Sequence, residues 1–247
     1  MRVLVAVTWC SHGKDYVVPK FMEMADHVFV LNPNVDVVFF GDMVPPGPYA
    51  HVPVDWGGAF YAEDMLMATR EEARKYAIKG GYDILMWHGI DALWQSLTDF
   101  SLMVAKVNLR NPVIAPVISA RADSRFWIAR RFRWNPDEQA YGENQYDISK
   151  AEINGHLVRS GFPGADNIAI HRSVFEYVGF EGHTKWYERV AQGRENLCVE
   201  EWWCLKAINL GYRIHVDTST FVWHVHEDGI ARMIDGIERD METLTWK

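Results

Sequence analysis

The stretch GGYDILMWHGID, residues 80–91, opens on a glycine turn, runs through the apolar residues Ile84, Leu85, Met86 and Trp87, and ends polar at His88 and Asp91. A short apolar run bounded by glycines predicts a strand buried on both faces, although a buried piece of helix carries the same short pattern. In open α/β sheets, ligands bind beyond the carboxyl ends of such strands. Asp91 stands at that end. A carboxylate there suits a divalent cation, and a cation suits a diphosphate.

The flanking chain fits an alternation of strands and helices. Upstream, residues 59–79 place Met65, Leu66, Thr69, Ala73, Tyr76 and Ala77 near helical spacing, with charged residues between them. Gly80 and Gly81 cap that helix. Residues 2–8 alternate as a strand and end in the polar loop 9–13, which suits a ligand or simply a β-to-α turn. A helix is expected from Asp15 or Tyr16 to Met24. Residues 26–31 and 35–40 read as strands split by Asn32-Pro33-Asn34, and the proline-rich residues 44–53 as a loop. Downstream, residues 93–107 read as a helix. Residues 113–119 read as a strand that Pro116 places at an edge or a bulge. Residues 135–155 read as a long loop. Short helices are expected at 172–178 and 199–210, strands at 212–217 and 220–226, and a closing amphipathic helix at 229–244. The pattern predicts one α/β domain with a mixed, mostly parallel central sheet flanked by helices.

The 247 residues carry 33 acidic and 25 basic side chains, a formal charge of −8. That argues against a general nucleic-acid binder, whose surface would be net basic. The 11 tryptophans are many for this length, and buried indoles need a partner for their N–H, so some are expected on a surface that stacks on rings. Cys10, Cys198 and Cys204 have no metal-type spacing and fit a reducing compartment. The first residues form a short alternating stretch unlike a signal peptide. No apolar run approaches the roughly 18 residues that span a bilayer. A soluble, cytoplasmic protein is expected, in contact with membranes only through a partner or a lipid acceptor.

Four segments together resemble one family. ATREEARKYAIKGGYDILMWHGIDAL is similar to an arginine-bearing helix followed by a strand ending in an Asp-x-Asp metal motif. GADNIAIHRSVFEYVGFEG resembles an acceptor-side segment with a Val-Gly-Phe turn. VEEWWCLKAINLGYRIHVD resembles a helix that starts with an acidic pair and leads to a Gly-Tyr-Arg-Ile strand. TFVWHVHEDG resembles a closing strand whose histidine completes the metal site. In this order they resemble the GT-A-fold glycosyltransferases, family-2-like, over roughly the last two-thirds of the chain. The resemblance implies a single GT-A-like (Rossmann-like) domain, residues 1–247, with a nucleotide-binding half (1–91) and an acceptor half (92–247). It implies transfer of a sugar from a nucleotide-diphosphate sugar to a hydroxyl acceptor, a glycan, a lipid or, less in keeping with the charge, a nucleic acid. Metal dependence and inversion come as family defaults. The chain departs from the motif at the Asp-x-Asp, which falls on Gly89-Ile90-Asp91 or, with a one-residue shift, on His88-Gly89-Ile90, leaving one carboxylate, and at Lys206, where the family commonly has arginine.

On this resemblance Glu200 is the base that takes a proton from the acceptor, with Glu201 as its neighbour, although acids at a helix start are also favoured by the dipole alone. Arg70 would reach the diphosphate. Thr8, Asp36, His88 and Asp91 complete the expected nucleotide-sugar contacts. For the metal, Asp91 offers an oxygen, and His224 and His226 lie two apart on a strand and so share a face. Either histidine is a ligand candidate, and the plainer reading is a pair of hydrogen-bonded strand histidines. Oxygen with imidazole favours Mn²⁺ over Mg²⁺. Asp166 and Asn167 are expected to hold acceptor hydroxyls, and Trp202 and Trp203, with Trp186 and Trp223, to stack on a sugar face or fill the core. The arginine- and aromatic-rich residues 121–134 fit an anionic acceptor, or more simply a solvated hairpin. Two other readings stand beside the enzyme: a non-catalytic carbohydrate or nucleotide binder with a degenerate metal site, and a same-fold nucleotidyltransferase.

Overall fold

A computed structural model of the chain describes residues 1–9, 14–56, 62–119, 128–164, 167–181 and 197–246. In chain order its strands are β1 (Val3–Trp9), β2 (Val35–Gly41), β3 (Ala50–Pro53), β4 (Ile84–His88), β5 (Ala92–Trp94), β6 (Val113–Val117), β7 (Arg130–Asn135), β8 (Ala140–Asp147), β9 (Leu157–Ser160), β10 (Ile168–His171), β11 (Ile214–Val225), β12 (Ile230–Met233) and β13 (Ile237–Asp240). The helices are α1 (Val18–Ala25), α2 (Ala62–Gly80), α3 (Leu97–Lys106), α4 (Arg172–Phe175) and α5 (Val199–Asn209).

The main sheet runs β13-β12-β11-β6-β10-β4-β1-β2-β3, with β5 and β9 also paired to β11. β3, β2, β1 and β4 are mutually parallel. β10 runs against both β4 and β6, and β11 is parallel to β6. The central strands therefore point one way except β10. This is the mixed, mostly parallel α/β sheet expected from the pattern.

β1 explains the layering. Val3, Val5 and Val7 enter one hydrophobic cluster with Phe21, Met24, Phe100 and Met103, from α1 and α3. Leu4 and Ala6 enter the other with Ala73, Ala77, Phe175 and Trp203, from α2, α4 and α5. β4 repeats the alternation, with Ile84 and Met86 on the first face and Leu85 and Trp87 on the second. Helices thus cover both faces, as a nearly continuous apolar run in a parallel strand requires. Each such side chain contributes about 1.5–3 kcal/mol on burial.

Several elements differ from the sequence expectation. The run at residues 26–31 is a helical extension of α1, Asp26–Val30; packing of Val28 and Phe29 into the first cluster overrides their strand propensity. The helix expected at 93–107 begins only at Leu97, where Ser96 caps it by accepting from the Asp99 N–H at 3.1 Å. The residues before it form β5. Pro116 lies in an interior strand at a bulge, the second of its two expected settings. Its partner β11 absorbs the irregularity, its register jumping between Asp217 and Phe221. Asp217 ties that bulge by accepting from Lys106, Ser219 and Thr220. The expected strands 212–217 and 220–226 are consequently one strand. The long loop at 135–155 contains most of the β7–β8 hairpin. The closing helix at 229–244 is instead the antiparallel ribbon β12–β13, entered through Gly229 and turned by Asp235 and Gly236, all at positive φ. No helix among the described residues is long and apolar enough to cross a membrane.

His88 is a core residue, and this corrects its expected role at the nucleotide. It is fully buried between Phe21 and Phe29. Trp94 Nε1–H donates to its Nε2 at 3.1 Å. Nδ1 must then carry the proton, which it donates to the Gly89 carbonyl at 2.7 Å. Burial pushes its pKa down to about 3. Between pH 6.5 and 3 the unfolded chain therefore binds the proton that the folded chain refuses. Stability is full above pH 6.5 and falls with acid at up to about 1.4 kcal/mol per pH unit from this group. Urea titrations across that window are expected to show a shallower pH dependence for His88→Gln than for wild type; equal slopes would place the neutral imidazole elsewhere.

Candidate active site

The carboxyl ends of β1 and β4 open into a cavity of about 500 Å³. Thr8 and Trp9 reach it from the end of β1, and Lys14 from the segment that follows. The first turns of α2 bring Thr69 and Arg70, the start of α5 brings Cys198 and Glu200, and the end of β11 brings His224. Gly89 and Ile90, just past β4, line it too, and Ile118 and Ile128 add apolar wall. Gly41 lets β2 approach β1 here, since a Cβ on it would stand 1.5 Å from the Trp9 carbonyl oxygen.

Asp91 is placed by β5. The pairing of β5 with β11 sets Ala92 opposite His224, and the Val225 N–H donates to the Asp91 carbonyl at 2.7 Å. The Asp91 carboxylate is almost wholly buried, 1% exposed, and its Oδ2 meets Lys14 Nζ at 2.9 Å and His224 Nε2 at 3.6 Å. His224 Nδ1 lies 3.0 Å from the Ser119 carbonyl, which can only accept, so Nδ1–H donates and Nε2 faces Asp91. His226 shares that face, its ring 5.2 Å from the ring of His224. Among the described residues no group of three or more histidine, cysteine, aspartate and glutamate side chains is placed to hold a metal. The three expected ligands thus reduce to a close pair, Asp91 and His224, with His226 beside them.

Arg70 and Glu200 come together as well. The Arg70 Nη2 stands 2.8 Å from Glu200 Oε1, both side chains 2% exposed. The guanidinium also faces the Trp87 ring at 5.0 Å. A group expected at the diphosphate and one expected to act as base are therefore each other's counter-ion in this state.

Other expected residues lie elsewhere. Asp36 is near the start of β2, away from the strand's cavity end, and pairs with Arg2 at 2.9 Å. Glu201 accepts from the Cys198 N–H at 2.8 Å and from Arg130 at 3.0 Å, tying the start of α5 to β7. Trp203 is a core residue, edge-on to Trp87 with centroids 4.7 Å apart, its indole N–H on the Val178 carbonyl. Trp202 is half-buried with Lys206 over its ring, and Trp223 is buried. Asn167 is fully buried at positive φ immediately before β10. Its side-chain amide has no hydrogen-bond partner among the described residues. Asp166 and Trp186 lie outside the described residues. Lys14 was not singled out from sequence; its signal was a basic residue closing the polar loop after the first strand.

No family model matches the chain, and no curated protein matches it in sequence. Solved structures do match in shape. The crystal structure of A197 from STIV aligns with a TM-score of 0.58 at 13% identity, over 96% of this chain and 93% of that one. The likeness shows a shared fold. Looser alignments reach CMP:2-keto-3-deoxy-manno-octonic acid synthetase complexed with CTP and the mannosyltransferase PcManGT from Pyrobaculum calidifontis in complex with GDP-Man and Mn²⁺. The first has a TM-score of 0.49 at 12% identity, over 87% of this chain and 89% of that one. The second has 0.47 at 14%, over 88% of this chain and 56% of that one.

The buried Arg70–Glu200 pair makes a stability prediction. Removing one member strands a buried charge, at a cost of about 3–5 kcal/mol, whereas removing both strands none. Arg70→Met and Glu200→Leu are each expected to lower the urea-denaturation free energy by about that amount, and the double variant by clearly less than their sum. Strict additivity would mean that the two side chains do not interact.

Proposed function

We propose that the chain is a glycosyltransferase with a single GT-A-like domain, taking its sugar from a nucleotide-diphosphate donor. One observation carries the reading. A single cavity beyond the carboxyl ends of β1 and β4 gathers Thr8, Arg70, Glu200 and His224, with Asp91 on its edge. Arg70, Glu200, His224 and Asp91 are among the residues that the resemblance names, and their proximity beyond the strand ends, where α/β sheets bind ligands, supports the reading.

In this reading Thr8 and the chain after it meet the nucleoside, and Arg70 offers its planar fork to the diphosphate. Glu200 takes the proton from the acceptor hydroxyl as that oxygen bonds to the anomeric carbon and the carbon–diphosphate bond breaks. The proton ends on Glu200, and the bonding pair leaves with the diphosphate. A single displacement of this kind inverts the anomeric centre. A divalent ion fits the donor set at Asp91 and His224. The Nδ1–H bond to the Ser119 carbonyl orients the imidazole, as a bond from the second ring nitrogen does in metal-ligating histidines, and oxygen with nitrogen suits Mn²⁺. When bound, the ion would offset the charge of the leaving diphosphate.

Lys14, in the segment after β1, favours a second reading, a nucleotidyltransferase using that basic group on a nucleoside triphosphate. Incubation with panels of nucleotide sugars and nucleoside triphosphates, with Mn²⁺, separates the readings. Nucleoside diphosphate released from one donor supports transfer, pyrophosphate released from a triphosphate supports the rival, and tight binding without release supports a non-catalytic binder. Glu200→Gln is expected to keep donor binding and to lose transfer by about 10²-fold or more. Undiminished turnover by that variant would remove Glu200 as base.

A further inference from the structure

We infer that Lys14 is a stand-in cation for the Asp91 subsite, and that it couples metal binding to diphosphate binding. The inference deepens the nucleotide-sugar reading of the cavity and rests on it. Asp91 is buried and fixed by its backbone bond to β11, while the Lys14 side chain is 34% exposed and reaches in from the rim. Lysine is suited to this, carrying a point charge on a flexible stem. Its ammonium sits at 2.9 Å on Asp91 Oδ2, the same oxygen that His224 Nε2 approaches at 3.6 Å. A divalent ion taken up by Asp91 and His224 must contest that oxygen with Lys14.

Charge counting gives the consequence. Among the described residues Lys14 pairs with Asp91 and Arg70 with Glu200, and Asp15 adds a further carboxylate to the cavity lining. A diphosphate entering this state would bring unmatched negative charge between apolar walls, which is costly. An ion arriving at Asp91 changes that balance by releasing the Lys14 ammonium inside the same cavity, where it can turn to a phosphate oxygen. Metal alone is opposed by Lys14, and diphosphate alone by the attraction of Lys14 to Asp91. Together each removes the obstacle to the other, which is positive coupling in the thermodynamic sense.

The test uses the full chain and two probes, Mn²⁺ alone and inorganic pyrophosphate, by calorimetry. Lys14→Met is expected to bind Mn²⁺ alone about tenfold more tightly and pyrophosphate in EDTA about tenfold more weakly. Lys14→Arg keeps the charge and should stay near wild type for both. Asp91→Asn serves if Lys14→Met does not fold. It should lose binding of Mn²⁺ alone and gain affinity for pyrophosphate in EDTA, because Lys14 is released. These opposed shifts are the signature, since a purely structural role would weaken both probes together. An unchanged or weaker Mn²⁺ affinity in Lys14→Met, or parallel shifts of the two probes, overturns the inference. So does a wild-type protein that binds neither probe. Donor panels that release no nucleoside diphosphate would remove the transfer reading while the two opposed shifts remained. Normal transfer without those shifts would remove the role of Lys14 alone.

Discussion

The antiparallel pairing of β5 with β11 holds the candidate site together. β5 contributes only Ala92, Leu93 and Trp94, set against His224, Trp223 and Val222. The Val225 N–H on the Asp91 carbonyl extends the ladder by one bond. Without that pairing Asp91 would be the loose end of β4, and His224 would belong to a distant strand. The C-terminal residues reinforce it. Trp246 Nε1–H donates to the Trp94 carbonyl at 2.6 Å, and Lys20 donates to the Leu244 carbonyl at 3.0 Å. Residues from both ends of the chain therefore brace a strand three residues long. Strand pairs this short are not stable alone; burial of all three residues makes this one possible.

The cavity poses an electrostatic problem that its pairs answer. Ile90, Ile118 and Ile128 give it apolar walls, so a charge there interacts more strongly than it would in water. Among the described residues Asp91 is met by Lys14 and Glu200 by Arg70. Glu200 also lies in the first turn of α5, where the helix dipole favours an acid. Buried ion pairs contribute little to stability compared with apolar residues of the same size. Two of them around one cavity are therefore more readily explained by what the cavity accepts than by what holds the fold.

Much of the fold was legible because period and burial agree. β1 and β4 alternate between two clusters along apolar runs, and α2 carries its apolar residues near helical spacing. The misreadings share a cause, which is that partners distant in sequence decided local structure. Val28 and Phe29 look like strand residues until α1 and the sheet bury them. Trp94 looks like the start of a helix until β11 pairs with its backbone. The C-terminal ribbon has the composition of an amphipathic helix, but Gly229 and Gly236 at positive φ make it two strands. At the candidate site, Asp91 could be read from its place at a strand end, whereas Arg70, Glu200 and His224 were named by the resemblance. Their mutual pairing could not be read, because it depends on β5 and on where α5 begins. His88 and Trp203 misled for the opposite reason, being polar-tipped side chains whose hydrogen bonds close within the core.

In the proposed reading, glycine at position 89 and Lys14 beside Asp91 fit together electrostatically. The resemblance expects a second aspartate beside Asp91, and two carboxylates in an apolar-walled site repel each other unless a divalent ion neutralises both. With glycine at position 89 a single negative charge remains, and one ammonium matches it. Lys14 supplies that ammonium from the segment following β1, at the cavity rim. A site with two aspartates needs its metal to be electrostatically tolerable. In the proposed reading an ion taken up at Asp91 must first displace the contact that Lys14 makes with it.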